Sequence, residues 1–221
     1  MSHQHPSHLL HDITRRSASS SPLLLKVVAY PREGKFAPVE VPDWDWPAKS
    51  TSKYMELNWA RKDLLLMVDS NIDHMVQTAA LELACEAKAH GHKLDVFEWG
   101  ISTVLGEYFW PAADMIGFES FRDEKELYRA CRKMRLLLGD FGVEWSEPEV
   151  YYTGNSYHIY ADTLLPLKLR TEWLHRLAEM DFVDPKWIQI ARQFGPEEDQ
   201  AVLRWSAGGN NRCVPFLKEF T

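Results

Sequence analysis

A short segment in the second half of the chain concentrates side chains that can bind phosphate. It reads YYTGNSYHIY, from Tyr151 to Tyr160, and predicts two strands joined by a tight turn. The turn and the following strand supply Thr153, Gly154, Asn155, Ser156 and His158. A glycine lets the backbone approach a ligand closely, and successive N–H groups of a turn can hold phosphate oxygens. An ordinary hairpin turn with a surface histidine explains the same residues.

The elements around this segment predict a mixed sheet-and-helix unit. In order they are strand Asp114–Phe121, helix Arg122–Leu138, strands Glu149–Thr153 and Tyr157–Tyr160, helix Pro166–Met180 and strand Ala201–Ser206. The helix predicted from Arg122 has one apolar stripe, made of Leu127, Ala130, Cys131, Met134, Leu137 and Leu138. Its other surface carries Arg129, Arg132, Lys133 and Arg135, which we interpret as a solvated face. The order β-α-β-β-α-β is that of the ferredoxin-like split unit used by nucleic-acid-recognition sheets.

A smaller α/β unit precedes it. Leu64–Val68 reads as a buried strand, a helical pattern follows it, and Leu94–Trp99 alternates as a second strand. A strand–helix–strand order of this kind builds parallel strand pairs. Residues 1–50 are rich in Ser, Pro and His, and we expect a largely disordered tail there. Residues 51–221 are then a single domain, with an α/β unit over 51–105 and a second unit over 110–221.

The segment Thr153–His158 resembles the Ser/Thr-Gly-Asn-Gly-Tyr/Phe-His motif of the archaeo-eukaryotic primase superfamily. In that superfamily a small α/β unit precedes a catalytic unit like an RNA-recognition-motif (RRM) sheet. The resemblance covers roughly residues 110–215. It extends to a carboxylate-bearing strand (Glu119), a late acid (Asp184), an arginine-bearing strand (Arg204) and a polar loop (Asn210).

The resemblance implies a primase-polymerase, a nucleotidyltransferase that acts in DNA replication. Glu119, His158 and Asp184 would be catalytic, and Glu119 with Asp184 would hold Mg²⁺ or Mn²⁺ in a weak site. The implied nucleotide-binding residues are Thr153, Gly154, Asn155, Ser156, His158, Arg204 and Asn210. The implied partners are nucleoside triphosphates, a single-stranded DNA or RNA template, and a helicase or other replication proteins.

The chain departs from the family pattern at two positions. The family's first motif has two carboxylates two residues apart, whereas Glu119 has Gly117 and Phe121 at that spacing. Asp114 is a nearby acid out of register, as is Asp123, and Ser156 replaces the motif's second glycine. A second source of oxygen ligands is Asp69, Asn71 and Asp73, although capping of the following helix explains Asp69 and Asn71 more simply.

Composition and charge limit the classes of protein to which the chain can belong. The net charge of −7 excludes a broadly basic nucleic-acid surface but leaves room for a local basic groove. The longest aliphatic run, Leu64–Val68, is too short to cross a bilayer, and three scattered cysteines are typical of reduced thiols. We therefore expect a cytoplasmic protein without a membrane partner. Because one carboxylate is missing, enzymatic activity is uncertain, and the alternatives are a catalytically impaired nucleotide- or nucleic-acid-binding module and a ligand-free interaction protein.

Overall fold

The computed structural model describes residues 5–16, 24–31, 64–67, 97–116, 124–154, 156–193, 202–205 and 216–218. Its helices are α1 (Pro6–Arg16), α2 (Glu124–Asp140), α3 (Arg170–Leu177) and α4 (Pro185–Gln193). Its strands are β1 (Leu24–Pro31), β2 (Leu64–Met67), β3 (Phe97–Ser102), β4 (Val104–Leu105), β5 (Tyr108–Phe109), β6 (Ala112–Asp114), β7 (Glu149–Tyr152), β8 (Tyr157–Tyr160), β9 (Leu165–Pro166), β10 (Val202–Arg204) and β11 (Phe216–Leu217). The expectation of a mixed α and β protein is confirmed.

The first sheet has the strand order β10-β3-β1-β2, and each neighbouring pair is antiparallel. The predicted strands at Leu64–Val68 and Leu94–Trp99 correspond to β2 and β3. They run in the same direction, but β1 lies between them, so they do not form the expected parallel pair. The sequence could not show this because the intervening strand comes from earlier in the chain.

The expectation of a disordered tail over residues 1–50 is wrong for two segments. Residues 24–31 form β1, an inner strand of the first sheet. Helix α1 buries Leu9, Leu10 and Ile13, which lie on one side of the helix. The tail composition hid this apolar stripe among serines and histidines.

The second sheet has the order β11-β7-β8-β6 and is also antiparallel throughout. Helix α2 joins β6 to β7 and begins two residues after its predicted start. Its buried side chains are Leu127, Ala130, Met134, Leu137 and Leu138, as predicted, while Cys131 is half-buried. The helix continues to Asp140, and the chain turns at Gly142, whose φ of +84° favours glycine.

Three further elements differ from the prediction in their bounds or their pairing. The strand predicted over Asp114–Phe121 is β6, which ends at Asp114, and residues 117–123 lie outside the described residues. The helix predicted from Pro166 begins as a single 3₁₀ turn, Leu167–Leu169, before α3. The strand predicted at Ala201–Ser206 is β10, which pairs with β3 in the first sheet instead of completing the second.

The two larger sheets are tied together through the segment between β3 and β6. Strands β4, β5 and β9 form a small third sheet there. Trp110, just before β6, packs against Tyr160 of the second sheet and Trp205 at the end of β10. In the part of the chain that the structure covers, no helix has the length and apolar character needed to span a bilayer.

Candidate functional site

Strand β8 places His158 and Tyr160 on one face of the second sheet, as the period of two predicts. The pairing register adds the neighbours on that face. His158 lies opposite Asp114 of β6 and Tyr151 of β7, and Tyr160 lies opposite Glu149. A row of polar side chains therefore crosses the sheet, although His158 and Tyr160 are both buried.

A chain of buried hydrogen bonds fixes the imidazole of His158. The indole Nε1–H of Trp205 donates to the Tyr160 hydroxyl oxygen at 3.0 Å. The Tyr160 hydroxyl lies 3.1 Å from His158 Nδ1. The indole of Trp205 can only donate, so it cannot accept the hydroxyl proton of Tyr160. Because a buried hydroxyl needs an acceptor, the Tyr160 hydroxyl donates a hydrogen bond to Nδ1 of His158. The proton of neutral His158 is then on Nε2, the nitrogen that faces Asp114.

Burial keeps His158 neutral. It lowers the pKa of the imidazole to about 3, and the positive charge of Arg204 adds to this effect. His158 Nε2 is 3.9 Å from Asp114 Oδ1, which is too far for a hydrogen bond. The Nε2–H group is thus a neutral donor that can bind an oxygen placed between the two side chains.

Asp114 is the carboxylate at the centre of this face. Burial raises its pKa to about 7, and repulsion from Asp184 contributes to the rise. A hydrogen bond from Ser156, the charge of Arg204 and the Met115 backbone oppose it. The side chain keeps 26% of its surface exposed, so a ligand can still reach the carboxylate.

Ser156 links Asp114 to the turn. Its hydroxyl oxygen is 2.6 Å from the Met115 carbonyl oxygen and 3.2 Å from Asp114 Oδ1. One hydroxyl proton serves only one of these acceptors at a time. When the proton points to Asp114, the hydrogen bond favours the ionised carboxylate and opposes the rise of its pKa.

Asp184 reaches the site from the start of α4. Its Oδ1 accepts the backbone N–H groups of Lys186 at 2.7 Å and Trp187 at 3.0 Å, which caps the helix. Its own N–H donates to the Asp114 carbonyl oxygen at 2.9 Å. Capping accounts for an aspartate before Pro185 without any ligand. The backbone contact nonetheless brings a second carboxylate beside the first.

Arg204 comes from the first sheet. It is the last residue of β10, and only 8% of its surface is exposed. Its charge stabilises ionised Asp114 and disfavours protonated His158. The site therefore lies where the two larger sheets meet, and it combines a cation, a neutral donor and two acids.

The described residues of the turn hydrogen-bond to one another. Thr153 is fully buried, and both its N–H and its hydroxyl donate to the Ser156 carbonyl oxygen. Gly154 has φ of +93°, a conformation that favours glycine, and its carbonyl oxygen accepts the Tyr152 hydroxyl. The Thr153 hydroxyl thus shapes the turn and supports Ser156.

Of the residues singled out from the sequence, the structure brings together His158, Asp184, Arg204 and Ser156. Thr153 and Gly154 lie beside them. Predictions that fall outside the described residues are those for Glu119, Asn155, Asn210, Gly117, Asp69, Asn71 and Asp73. The described acid opposite His158 is Asp114, which sequence spacing had placed out of register. Its only local signal is its position at the end of the apolar run Trp110–Ala113.

Two aromatic residues near the site belong to the core and offer no ring surface to a ligand. Tyr160 and Trp205 have no exposed surface, and both serve the hydrogen-bond chain to His158. Tyr152 is half-buried and packs against Tyr157. Their contribution to the site is to position the histidine.

Among the described residues, no group of three or more His, Cys, Asp or Glu side chains is arranged to hold a metal ion. Asp114 and Asp184 form a pair of neighbouring carboxylates, which is the part of such a site that the described chain supplies. No protein-family model, curated protein or solved structure matches this chain.

Proposed function

We propose that the chain is a primase-polymerase-like nucleotidyltransferase that binds a nucleoside triphosphate over Asp114, His158, Asp184 and Arg204. The observation that carries the proposal is the convergence of these four side chains from four separate segments. Neighbouring acids repel each other, which the raised pKa of Asp114 reports, and this repulsion costs stability when no ligand offsets it. Such groupings are typical of binding and catalytic sites.

The charges of the site suit a triphosphate with a divalent cation. Arg204 and the Nε2–H of His158 are donors for phosphate oxygens. Asp114 and Asp184 would hold Mg²⁺ or Mn²⁺, since hard cations prefer carboxylate oxygens and accept phosphate oxygens as further ligands. A bound cation would neutralise phosphate charge and orient the reacting groups. It would also relieve the repulsion that helps to raise the pKa of Asp114.

The fold around the site supports the same assignment. Strands β6, β8 and β7 lie side by side in that order, and α2 connects β6 to β7. A first strand next to a third strand, with a helix between the first and second, is the order expected for three strands of an RRM-like split unit, whereas the fourth strand of this sheet, β11, lies beside β7 instead of β6. In this proposal the second sheet is the catalytic unit, and β10 of the first sheet contributes the arginine.

A second candidate is a nucleotide-binding module without catalysis. It is favoured because one oxygen of Asp184 is occupied by the α4 cap, which leaves few acidic ligands among the described residues. Such a protein would bind the triphosphate without transferring a nucleotide.

Two measurements test the proposal. Calorimetric titration with nucleoside triphosphates in Mn²⁺ should give binding that His158→Ala and Asp114→Asn abolish or strongly weaken. The matched controls are His175→Ala and Asp140→Asn, which change an exposed histidine and an exposed aspartate away from the site. Primer synthesis and extension in Mg²⁺ and Mn²⁺ then separate the two candidates. Binding without extension identifies the binding module.

Two results would contradict these assignments. If the folded protein does not bind nucleoside triphosphate at millimolar concentration, both candidates are wrong. If Asp114→Asn extends a primer as fast as the wild type does, the metal ligands lie elsewhere in the chain.

A further inference from the structure

The solvent side of α2 carries three arginines with two large apolar side chains among them. They are Arg129, Arg132 and Arg135 with Tyr128 and Leu136, and we call these five residues the arginine face. At 100° per residue they fall within an arc of about 120°, opposite the buried stripe of the helix. All five are exposed, and Tyr128 and Leu136 each show 65% of their surface. The face therefore points away from the second sheet.

The arginine face keeps its positive charge. Within the described residues its three arginines make no ion pair or hydrogen bond. The acids at the two ends of α2 are already paired, Glu124 with Lys218 and Asp140 with Arg176. Glu126, the remaining acid of the helix, is half-buried and lies about 60° outside the arc. In a chain of net charge −7 the face is a local positive surface.

A second exposed surface, of the opposite charge, follows α2 in the chain. The loop before β7 contains Glu144, Trp145, Ser146 and Glu147, and we call it the tryptophan loop. Trp145 shows 81% of its surface, more than the exposed Tyr128 and Leu136. Glu144 and Glu147 are also exposed, and in the part of the chain that the structure describes their side chains make no ion pair or hydrogen bond.

Hydrogen bonds fasten the tryptophan loop on both sides of Trp145. Before it, the Val143 N–H donates to a carbonyl oxygen in the last turns of α2 at 3.0 Å. After it, the buried Ser146 hydroxyl donates to Asp162 Oδ1 at 2.5 Å, and the Glu147 N–H donates to the same oxygen at 3.2 Å. A loop held in this way loses little conformational freedom when it binds a partner. The structure thus presents an indole and two carboxylates to solvent in a fixed arrangement.

We propose that the tryptophan loop of one copy of this chain docks on the arginine face of a second copy. Two acids meet three arginines, and such complementary charge guides association. The indole of Trp145 can lie over a guanidinium group and against Tyr128, and Trp, Tyr and Arg are the side chains that dominate protein interfaces. Within one chain both surfaces remain exposed, so they do not serve each other there.

The contact joins two different surfaces, so it is head-to-tail. An association of this kind leaves one unused surface at each end, and it either closes into a ring or grows into a chain of copies. Neither surface contains a residue of the proposed nucleotide site. The inference therefore does not depend on the proposed function.

The experiment is sedimentation velocity at rising protein concentration, in low and in high salt, without nucleotide or metal. The wild type should form larger species as its concentration rises, and high salt should reverse this. Trp145→Ala should raise the dissociation constant about 30-fold, the effect of an interface hot spot. Arg132→Ala with Arg135→Ala should raise it on the order of tenfold. The matched control is Arg15→Ala with Lys168→Ala, which removes two exposed cations elsewhere and should change nothing.

Mixing the variants tests the head-to-tail geometry. The Trp145 variant keeps its arginine face, and the double-arginine variant keeps its tryptophan loop. At a concentration where neither associates alone, the mixture should form a one-to-one complex that does not grow, because one complementary pair of surfaces remains.

Gly139 offers a second pair of variants that leave both surfaces intact. It is exposed on the same arc of α2, and a Cβ there would meet no atom within 4 Å. Gly139→Glu should weaken association by placing a negative charge beside the arginines, whereas Gly139→Ala should not. Circular dichroism checks that each variant is folded.

Four results overturn the proposal. They are a wild type that stays monomeric at every concentration, association that Trp145→Ala or the double-arginine variant leaves unchanged, a mixture that forms no complex, and equal effects of the two Gly139 variants. A monomeric wild type that binds poly-glutamate or oligo(dT) through the arginines would assign the arginine face to an acidic protein or a nucleic acid instead.

Discussion

The two faces of the second sheet differ in the polarity of the side chains that they bury. One face presents Ala113, Val150 and Ile159, which have no exposed surface and share one core with the stripe of α2. The other presents Asp114 and His158 in the same three-strand register, also in a largely buried setting. The first face is therefore apolar, and the second, the polar face, combines an acid and a histidine with the buried side chains of Tyr151 and Tyr160.

This difference separates residues that stabilise the fold from the residues that we propose bind a ligand. Burial of apolar side chains contributes roughly 25 cal/mol for each Å² removed from water. Burial of a carboxylate beside another carboxylate is unfavourable, which the raised pKa of Asp114 reports directly. The proposed function gives this unfavourable pair of acids a role in binding.

The largest expected effect is on the apolar face. Ile159→Ala removes a fully buried side chain and should lower the free energy of unfolding by about 3 kcal/mol. Urea denaturation measures it, with the exposed Leu136→Ala as the control, for which we expect less than about 0.5 kcal/mol. Equal effects of the two changes would contradict the assignment of this face to the core.

The second prediction concerns pH and the polar face. Between pH 3.8 and 6.5, the ordinary pKa values of the two side chains, the unfolded chain has Asp114 ionised and His158 protonated. In the folded chain the pKa of Asp114 is raised to about 7 and that of His158 is lowered to about 3, so Asp114 holds the proton. Folding therefore shifts the proton from His158 to Asp114 and leaves the number of bound protons unchanged. The pair then adds no pH dependence to the free energy of unfolding in this window.

Single substitutions should reveal two opposite dependences of the free energy of unfolding on pH. In Asp114→Asn only His158 remains, and its lowered pKa makes stability fall as pH drops from 6.5 toward 3. In His158→Gln only Asp114 remains, and its raised pKa makes stability fall as pH rises from 3.8 toward 7. Each slope approaches about 1.4 kcal/mol per pH unit. Urea midpoints at several pH values measure both, and slopes of the same sign would refute the assigned protonation states.

A smaller effect is expected for Asp114→Asn at pH 8. Ionised Asp114 then costs stability because its folded pKa is raised, so the neutral amide should raise the free energy of unfolding on the order of 1 kcal/mol. Nucleotide binding should fall at the same time. Thermal unfolding with Asp140→Asn as the exposed control checks this. A loss of stability in the Asp114 variant would place that residue among the stabilising ones.

The last prediction concerns Tyr160→Phe and the tautomer of the histidine. Without the hydroxyl, Nδ1 of His158 loses its donor, and the preference for the Nε2–H form should disappear. Nitrogen NMR of the imidazole distinguishes the two tautomers. Tyr151→Phe is the control because its hydroxyl binds Glu149 on the same face. An unchanged tautomer in Tyr160→Phe would show that another group orients the ring.

Local patterns predicted the local structure well. The stripe of α2 follows from a period of 3.6, and the strands around Gly154 follow from alternation and turn residues. The partner of His158 could not be found in this way, since Asp114 lies more than forty residues earlier and only strand register places them together. The placement of Arg204 in the first sheet depends on pairing across the chain, which no local period encodes.

Strand β10 has a consequence for how the site forms during folding. Arg204 and Trp205 lie at the end of a strand that pairs with β3, about a hundred residues earlier in the chain. The cost of closing so long a loop slows the formation of such a contact, while the hairpin of β7 and β8 closes a short one. In a refolding experiment the hairpin should thus form before the imidazole is locked by Tyr160 and Trp205. The histidine then reports the formation of this long-range contact.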